Sequence, residues 1–558
     1  MRDPAGGAGR VTIVGAGPAG LFLARTLGLR SPGTVVDVYD RLGAAGDSGF
    51  GVSLSERTLR TVAEHDPETH RRIAAASVAQ RGIAVRLPSR AVTYRGFEVS
   101  TVSRHALLAV LREQAEAAGA RLHYGHELLP GEANGDVVAV ADGAASVHRD
   151  ALRHEFGTRL RTGAARFIWL GTTADIGDLA MMVFERTGAG PMAAHMYAYG
   201  GGMSTVVVEM DDETWRRAGL DRAVHAGGVI DDKALAYLAG VFAAPLGGRP
   251  LLSAASRWRR FTVVTNDRWS HGRTVLLGDA AHTAHFTVGS GTKLALEDAL
   301  ALGGALGAHD HPADAFAAYE RWRRPVVART QRWAAPSMRW WETYGSRLHL
   351  PAEQFGLNFL TRTPAMTYAA LRRRCPQRLA EAETAFRRAA GEEEPIGSGN
   401  AVTTALRIAG LRVSGRLAVW AGPGPVPRTG TMRPGPGGLV LLGEGGNLHE
   451  FATLYCGSTT EVLLRRAQGL LRHGAQLLLV LADLGRAGWW ERTLHDAELI
   501  RARTGAPVAV AVPEGWEHDL VSDVAVDPWP YRIHLALVTG RVDLVVPLRL
   551  PATQRDRA

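Results

Sequence analysis

Residues Val11 to Gly20, VTIVGAGPAG, constrain the fold more than any other stretch of the chain. A β-branched run breaks into GxGxxG and then into the apolar, helix-period segment Leu21 to Leu27, so the stretch reads as strand, tight turn and helix. Gly15 permits the turn, Gly17 lets a phosphate approach the backbone, and Gly20 lets the helix pack on the strand. The helix N-terminus is then free to hold a pyrophosphate. A second strand, Thr34 to Tyr39, ends in Asp40, which lies 20 residues past Gly20, where an acid accepts a ribose hydroxyl. Together these residues make a complete βαβ nucleotide site.

A second junction lies far along the chain. The apolar run Thr274 to Leu277 delivers Gly278-Asp279 at its carboxyl end, and Gly289, Ser290 and Gly291 open another helix, expected over Leu294 to Leu306. Two strand-to-glycine-to-helix junctions in one fold point to a long, extended dinucleotide such as FAD. Between them the pattern changes: Phe167 to Thr173, Ala180 to Glu185, Ala193 to Tyr199 and Ser204 to Glu209 alternate in the manner of strands, with Gly-rich turns. The expected fold class is α/β, a Rossmann-like FAD-binding domain carrying an inserted, mostly antiparallel substrate sheet. From Ala313 to Tyr344 the chain reads as mostly helix, with a break or kink expected at Pro325.

Composition narrows the partners. The formal charge is +9, but the arginines are scattered along apparent helices rather than gathered in one block, which favours anionic ligands over nucleic acid. Cys375 and Cys456 have no paired spacing, so neither a disulfide framework nor a metal site is indicated. Met1 to Arg10 runs straight into the first strand without a signal-peptide pattern, and the most apolar later run, Ala475 to Ala482, is far short of a membrane span. A soluble, cytoplasmic protein without membrane contact is expected.

Three motifs occur in a specific order: GAGPAG with Asp40-Arg41, then Ala141-Asp142-Gly143, then Leu277-Gly278-Asp279-Ala280-Ala281-His282. In this the chain resembles the single-component FAD-dependent aromatic hydroxylases. Phe50-Gly51-Val52, Phe167 to Thr173, His195-Met196-Tyr197 and Ala281 to Phe286, running on to Ala299, resemble the branch of the salicylyl-CoA 5-hydroxylase, 2-aminobenzoyl-CoA monooxygenase and violacein-pathway tryptophan hydroxylase type. The likeness spans roughly residues 10 to 375. It implies that Gly15, Gly17, Ala19 and Gly20 hold the pyrophosphate, that Asp40 with Arg41 holds the adenosine end, and that Arg104 and Asp279, beside Gly278, bind the linker to the flavin. Gly51, Val52, Asp142, Gly289, Ser290, Gly291 and Thr292 complete the implied cofactor set. Trp169, Tyr197 and Phe286 are the implied substrate contacts. Phe286 stands where many relatives have Pro and Lys293 where many have Asn, and Ala144-Ala145-Ser146 relaxes the usual continuation of the second motif.

The resemblance also implies a reaction. With one glycine fingerprint at the amino terminus and no second nucleotide domain, NADH or NADPH visits transiently, and oxygen is delivered through a flavin C4a-hydroperoxide to an electron-rich aromatic ring. His195 and His285 are the candidates for polarising a phenol, indole or aminoaryl group, beside the reading of each as a structural histidine. A non-oxygenating flavoprotein with structural FAD and an epoxidase on the same scaffold are the alternatives.

The expected organisation is 1–163 for the first part of the FAD domain, 164–260 for the substrate sheet, 261–345 for the second part with a long helix, and 346–390 for a helical segment. A linker follows at 391–400. Residues 401–558 form a smaller α/β domain. Its two ends, Leu406 to Leu411 with Arg416 to Val419 and Gly540 to Val546 with Arg549, resemble the FMN barrel of old yellow enzyme, but the region is shorter than the roughly 200 residues a (β/α)₈ barrel needs. An incomplete, barrel-like domain without FMN is expected, with a structural role or a homo-oligomer contact.

Overall fold

The computed structural model describes residues 9–43 and 49–389, and within 406–548 the strands, the helices and some of the residues joining them. The expected linker at 391–400, Cys456 and Arg549 lie outside the described residues. The chain divides into two compact units, one of residues 1–88 with 95–342, the other of 89–94 with 343–558.

In the first unit six strands lie in the spatial order Ser270–His271, Thr274–Leu276, Val137–Val140, Arg10–Val14, Val35–Asp40 and Arg121–Tyr124. All neighbours run parallel except the antiparallel edge pair of Ser270–His271 with Thr274–Leu276. Val11, Ile13, Val137, Ala139, Val275 and Leu276 are wholly buried. Layers cover both faces of a parallel sheet, which is why these strands read as continuous apolar runs instead of alternating ones. Helices Pro18–Arg30 and Gly291–Ala308 pack closely through small residues, with Thr26 facing Gly303. Both helix N-termini therefore follow directly on the two glycine junctions expected from the sequence.

The inserted strands Arg159–Thr172, Ala180–Thr187, Gly190–Gly200 and Met203–Met210 lie in the spatial order first, fourth, third, second, within a nine-stranded sheet that runs on from Ala180–Thr187 to Ser77–Arg86, Ala91–Ser103 and Gly51–Ser55. Its antiparallel register pairs Phe167 with Glu209, Trp169 with Val207 and Val207 with His195. Strand alternation then separates two faces. Ile168, Leu170, Met196, Val206 and Val208 turn into a core shared with Leu238, Phe242 and Leu246. Phe167, Trp169, His195, Tyr197 and Glu209 occupy the opposite face.

The helix Pro312–Thr343 runs through Pro325 and Pro336, so the break expected at Pro325 does not interrupt it. Its inner face carries Phe316, Tyr319, Arg323 and Val327 at three- and four-residue spacing, all buried. Side-chain packing and the ion pairs of Arg323 hold the helix across the proline.

The second unit has helices Ala352–Leu360, Tyr368–Arg374 and Pro376–Ala389, and a sheet of seven strands. Its last four strands, Leu448–Tyr455, Leu477–Leu481, Val508–Pro513 and Leu544–Leu548, are parallel neighbours in chain order. They are joined by helices Thr460–Arg472, Trp489–Thr504 and Trp529–Val538. The first strand, Val419–Trp420, also comes beside the last, so the sheet curls toward a barrel. Among the described residues no helix is long and apolar enough to cross a membrane, and no cluster of His, Cys, Asp or Glu could hold a metal ion.

Candidate active site

The glycine turn after Arg10–Val14 is held from two sides. The Gly15 N–H donates to the Tyr39 carbonyl at 2.7 Å, and Gly15 sits at φ +105, where a Cβ would lie 2.4 Å from the Ala141 oxygen. Gly17 caps helix Pro18–Arg30 without any side-chain hydrogen bond and with open space around it, while Ala19 and Gly20 are buried in the first turn. Asp40 takes the Ala16 N–H at 2.7 Å on one carboxylate oxygen and the Leu42 N–H at 2.8 Å on the other. The carboxylate is thereby fixed beside the turn. Arg41 is exposed, within 3.9 Å of Glu127 at the surface.

The second junction touches the first. Gly278 lies against Ala19, and its N–H donates to the Asp298 carboxylate at 3.0 Å. The same Asp298 oxygen meets His282 at 2.7 Å, and Arg323 reaches the other oxygen at 2.8 Å. Arg323 and Lys293 each pair with Glu297 at 2.9 Å. Burial would raise the Asp298 pKa, but His282 and Arg323 overcome it and hold the carboxyl below its usual range. This network sets the position of Gly278-Asp279. Asp279 itself is reached by solvent although protein crowds it, and that crowding raises its carboxyl against the pull of His282 and Arg104. Arg104 opens helix Arg104–Ala117, which Ser103 caps, and its N–H donates to the Phe50 carbonyl at 3.0 Å.

Asp142 follows strand Val137–Val140 and pairs with His148 at 3.1 Å. Ser146 caps the short helix Val147–Ala151, and the buried Arg149 donates to the carbonyls of Ala144 at 2.8 Å and Ala280 at 3.4 Å. The relaxed continuation of the second motif is therefore an ordered loop, tied by Arg149 to the Gly278 junction. Arg149 was open to sequence reasoning only as one more scattered arginine.

Gly291 starts helix Gly291–Ala308, with Thr292 in its first turn. Ser290 is 5% exposed, and its hydroxyl has no hydrogen-bond partner among the described residues. An orphaned hydroxyl at an uncapped helix N-terminus fits a polar cofactor edge, as the open Gly17 fits a phosphate. The residues present suit FAD.

On the sheet side, Phe286 is the centre of an aromatic group. Its ring centroid lies 4.8 Å from Phe167, 5.9 Å from Trp169, 5.9 Å from His195 and 4.5 Å from His285. Phe167, Trp169 and Phe286 are each half-buried, unlike the fully buried residues on the other face of the sheet. Tyr197 donates to the Gly51 carbonyl at 2.8 Å, and the Gly51 N–H donates to Thr205 at 2.8 Å. Tyr197 thus anchors strand Gly51–Ser55, which includes Val52, to the sheet. Burial keeps its phenol far from ionising. His195 and His285 converge on one buried carboxylate, Glu209: its oxygens lie 3.3 Å from His195 Nε2 and 3.9 Å from His285 Nε2. The His285 Nδ1 shares a 2.7 Å hydrogen bond with Thr287, which contacts Ser337 at 3.0 Å. Glu209 lies on the His195 face because the register sets Val207 opposite His195, a pairing that the sequence alone does not fix.

Two glycine junctions clasped together beside an aromatic-lined sheet define an FAD-dependent flavoprotein of the aromatic monooxygenase class. The chain belongs to the FAD binding domain family, whose pattern matches residues 9–150 and 136–334. It is 39% identical over 361 residues to salicyloyl-CoA 5-hydroxylase of a Streptomyces species, covering 63% of this chain and 70% of that protein. To the 3-hydroxy-4-methyl-anthranilyl-(aryl-carrier protein) 5-monooxygenase of Streptosporangium sibiricum it is 36% identical, over 59% of this chain and 88% of that one. Protodeoxyviolaceinate monooxygenase of Chromobacterium violaceum is 30% identical, over 64% and 95%. The tetrameric form of 2-methyl-3-hydroxypyridine-5-carboxylic acid oxygenase shares the fold, with a TM-score of 0.50 and 18% identity over 63% of this chain and 97% of that one.

Proposed function

We propose that the chain hydroxylates an electron-rich aromatic acyl group carried as a thioester, on coenzyme A or on a carrier protein, with NADH or NADPH and O₂ as co-substrates. The observation that carries the reading is the half-buried aromatic group of Phe167, Trp169 and Phe286, with His195 packed against Phe286 and the Gly289-Ser290-Gly291 turn following Phe286 in the chain. Thioester substrates are supported by the names of two of the relatives, and the +9 charge suits a phosphate-bearing carrier.

Gly15, Gly17, Ala19 and Gly20 would hold the FAD pyrophosphate, Asp40 its ribose, and Arg104 with Asp279 the linker. Gly278, Gly289, Ser290, Gly291 and Thr292 would lie along the flavin, with Gly51 and Val52 at its edge. The bound flavin supplies electron transfer from the nicotinamide and activation of oxygen. The chain's own residues then have three tasks: Trp169 and Phe286 hold the ring, the aromatic side chains exclude water, and His195 polarises a ring hydroxyl or amino group. We further place the enzyme in the cytoplasm, without FMN, and assign residues 401–558 a structural or homo-oligomer contact role.

Mass spectrometry under ¹⁸O₂ tests the reading. Salicyloyl-CoA, 2-aminobenzoyl-CoA, the 2-aminobenzoyl carrier protein and the matching free acids are incubated with the FAD-loaded enzyme and NAD(P)H. One ¹⁸O atom is expected in at least one thioester product. Peroxide release from every substrate, without oxygen incorporation, overturns the proposal.

A further inference from the structure

A groove of about 850 Å³ lies within the first unit, between residues 265–270 and helix Pro312–Thr343. From the helix it is lined by Ala313, Ala317, Arg321, Arg324 and Ala328, at the three- and four-residue spacing of one helical face. Its volume is that of a small-molecule site, and its charges do not cancel. Arg159 donates to both oxygens of Asp267, at 2.8 and 2.7 Å, and Arg324 reaches Glu320 at 3.5 Å. The remaining two arginines of the lining, Arg268 and Arg321, are exposed and make no side-chain hydrogen bond or ion pair among the described residues. His282, only 2% exposed, also lines the groove, with its ring 4.9 Å from that of Trp269. Its Nε2 is committed to Asp298 at 2.7 Å, and its Nδ1 has no partner among the described residues. With the Nε2–H given to that carboxylate, Nδ1 is left as a buried acceptor, and buried polar atoms are rarely left unpaired. The groove also abuts the segment that joins Asp279 to Phe286: Asn266 and Gln331, both in its lining, donate to the carbonyls of Ala281 at 2.6 Å and Thr283 at 2.9 Å.

We propose that this groove binds the phosphate monoester of an organic co-substrate, with Arg268 and Arg321 holding the phosphate and His282 Nδ1 accepting a hydroxyl of the same ligand. A phosphate monoester carries about −1.5 to −2 charges at neutral pH, which matches two arginines without carboxylate partners. The planar guanidinium presents paired donors to its oxygens, a geometry that a lysine cluster would not give. Two reactants of the hydroxylase reading carry such a group, NADPH on its 2′-oxygen and coenzyme A on its 3′-oxygen, so the inference takes its candidate ligands from that reading and deepens it. The occupant is held against the segment whose two ends, Asp279 and Phe286, belong to the proposed cofactor and substrate contacts.

Isothermal titration calorimetry of the full-length, FAD-loaded protein tests the site without turnover. The probes are NADP⁺ against NAD⁺ and coenzyme A against dephospho-coenzyme A, two pairs that each differ by one phosphate monoester. In at least one pair the phosphorylated member should bind about tenfold more tightly. A preference in the first pair assigns the groove to the nicotinamide coenzyme, and one in the second assigns it to the thioester carrier. Arg268→Gln together with Arg321→Gln should erase the preference, while the flavin content, the melting temperature and the affinity for NAD⁺ and dephospho-coenzyme A stay as in the wild type. Both side chains are exposed, so the fold does not depend on them, and the reversal Arg321→Glu should weaken the phosphorylated member selectively. Arg30→Gln, at an exposed arginine outside the groove, lowers the net charge and should leave the preference intact. Loss of the preference in that control as well would make bulk charge its cause and overturn the site. No preference in either pair, or one that survives the double substitution, overturns the inference and leaves the hydroxylase reading standing. Failure of that reading shows separately, as peroxide without oxygen incorporation under ¹⁸O₂.

Discussion

Ala19 and Gly278 lie against each other, so that a Cβ on Gly278 would stand 2.9 Å from that of Ala19. One residue opens the first helix and the other ends the strand of the second junction, 259 positions later in the chain. Gly278 also has φ +59, where a side chain is strained. Gly278→Ala is therefore expected to push the two junctions apart and to weaken FAD retention at least tenfold, read as the ratio of flavin to protein absorbance after dialysis.

The neighbouring Asp279 has a different task, because its carboxylate faces solvent and Arg104 instead of the protein core. Asp279→Ala should leave the melting temperature of the apoprotein nearly unchanged, yet lower flavin occupancy. Full occupancy through dialysis would remove Asp279 from the cofactor site.

Asp298 should behave in the opposite way. It is wholly buried among His282, Arg323 and the Gly278 N–H, and breaking such a buried group typically costs about 3–5 kcal/mol. Asp298→Asn should lower the melting temperature of the apoprotein by several degrees. Because its folded pKa is held down, Asp298 stabilises above the ordinary carboxylate pKa and loses that contribution as the pH falls. The wild-type melting temperature should therefore drop more steeply than that of the Asn variant between pH 6 and about pH 3.

Phe286→Ala and Trp169→Ala each remove a half-buried wall of the proposed ring slot. Both variants should bind FAD and consume NAD(P)H, but release several times more peroxide per turnover, because water enters the site. Unchanged coupling would take both residues out of the substrate pocket.

In the second unit Glu498 accepts two hydrogen bonds of 2.6 Å from Arg347 and one of 2.8 Å from Asn358. Burial would raise its pKa, but Arg347 lowers it to about 2. Its contribution is complete above its unfolded value of about 4.5 and is lost progressively as the pH falls toward about 2. Glu498→Gln should destabilise this unit at neutral pH by a few kcal/mol, with the difference from wild type shrinking over that acid interval. Circular dichroism melts across the interval check it.

Local chemistry alone determined the two nucleotide junctions, since GxGxxG after a β-branched strand and Gly278-Asp279 after an apolar one allow few other backbones. It determined the antiparallel insert as well, because the alternation of apolar residues from Phe167 to Glu209 has strand period, and the α/β character of the C-terminal region. Only the tertiary structure decided which side chains meet. His195 and Glu209 are 14 residues apart and become neighbours through a strand register that no local pattern specifies. His285 joins them from a loop whose path depends on Thr287 and Ser337. Arg149, Asp298 and Arg323 read in the sequence as ordinary charges, and become the fasteners of the second junction because folding buries Arg149 against the Ala280 carbonyl and sets Asp298 between Arg323 and the Gly278 N–H. Helix Pro312–Thr343 crosses Pro325 for the same reason: a local preference to break yields to an inner face anchored along the core.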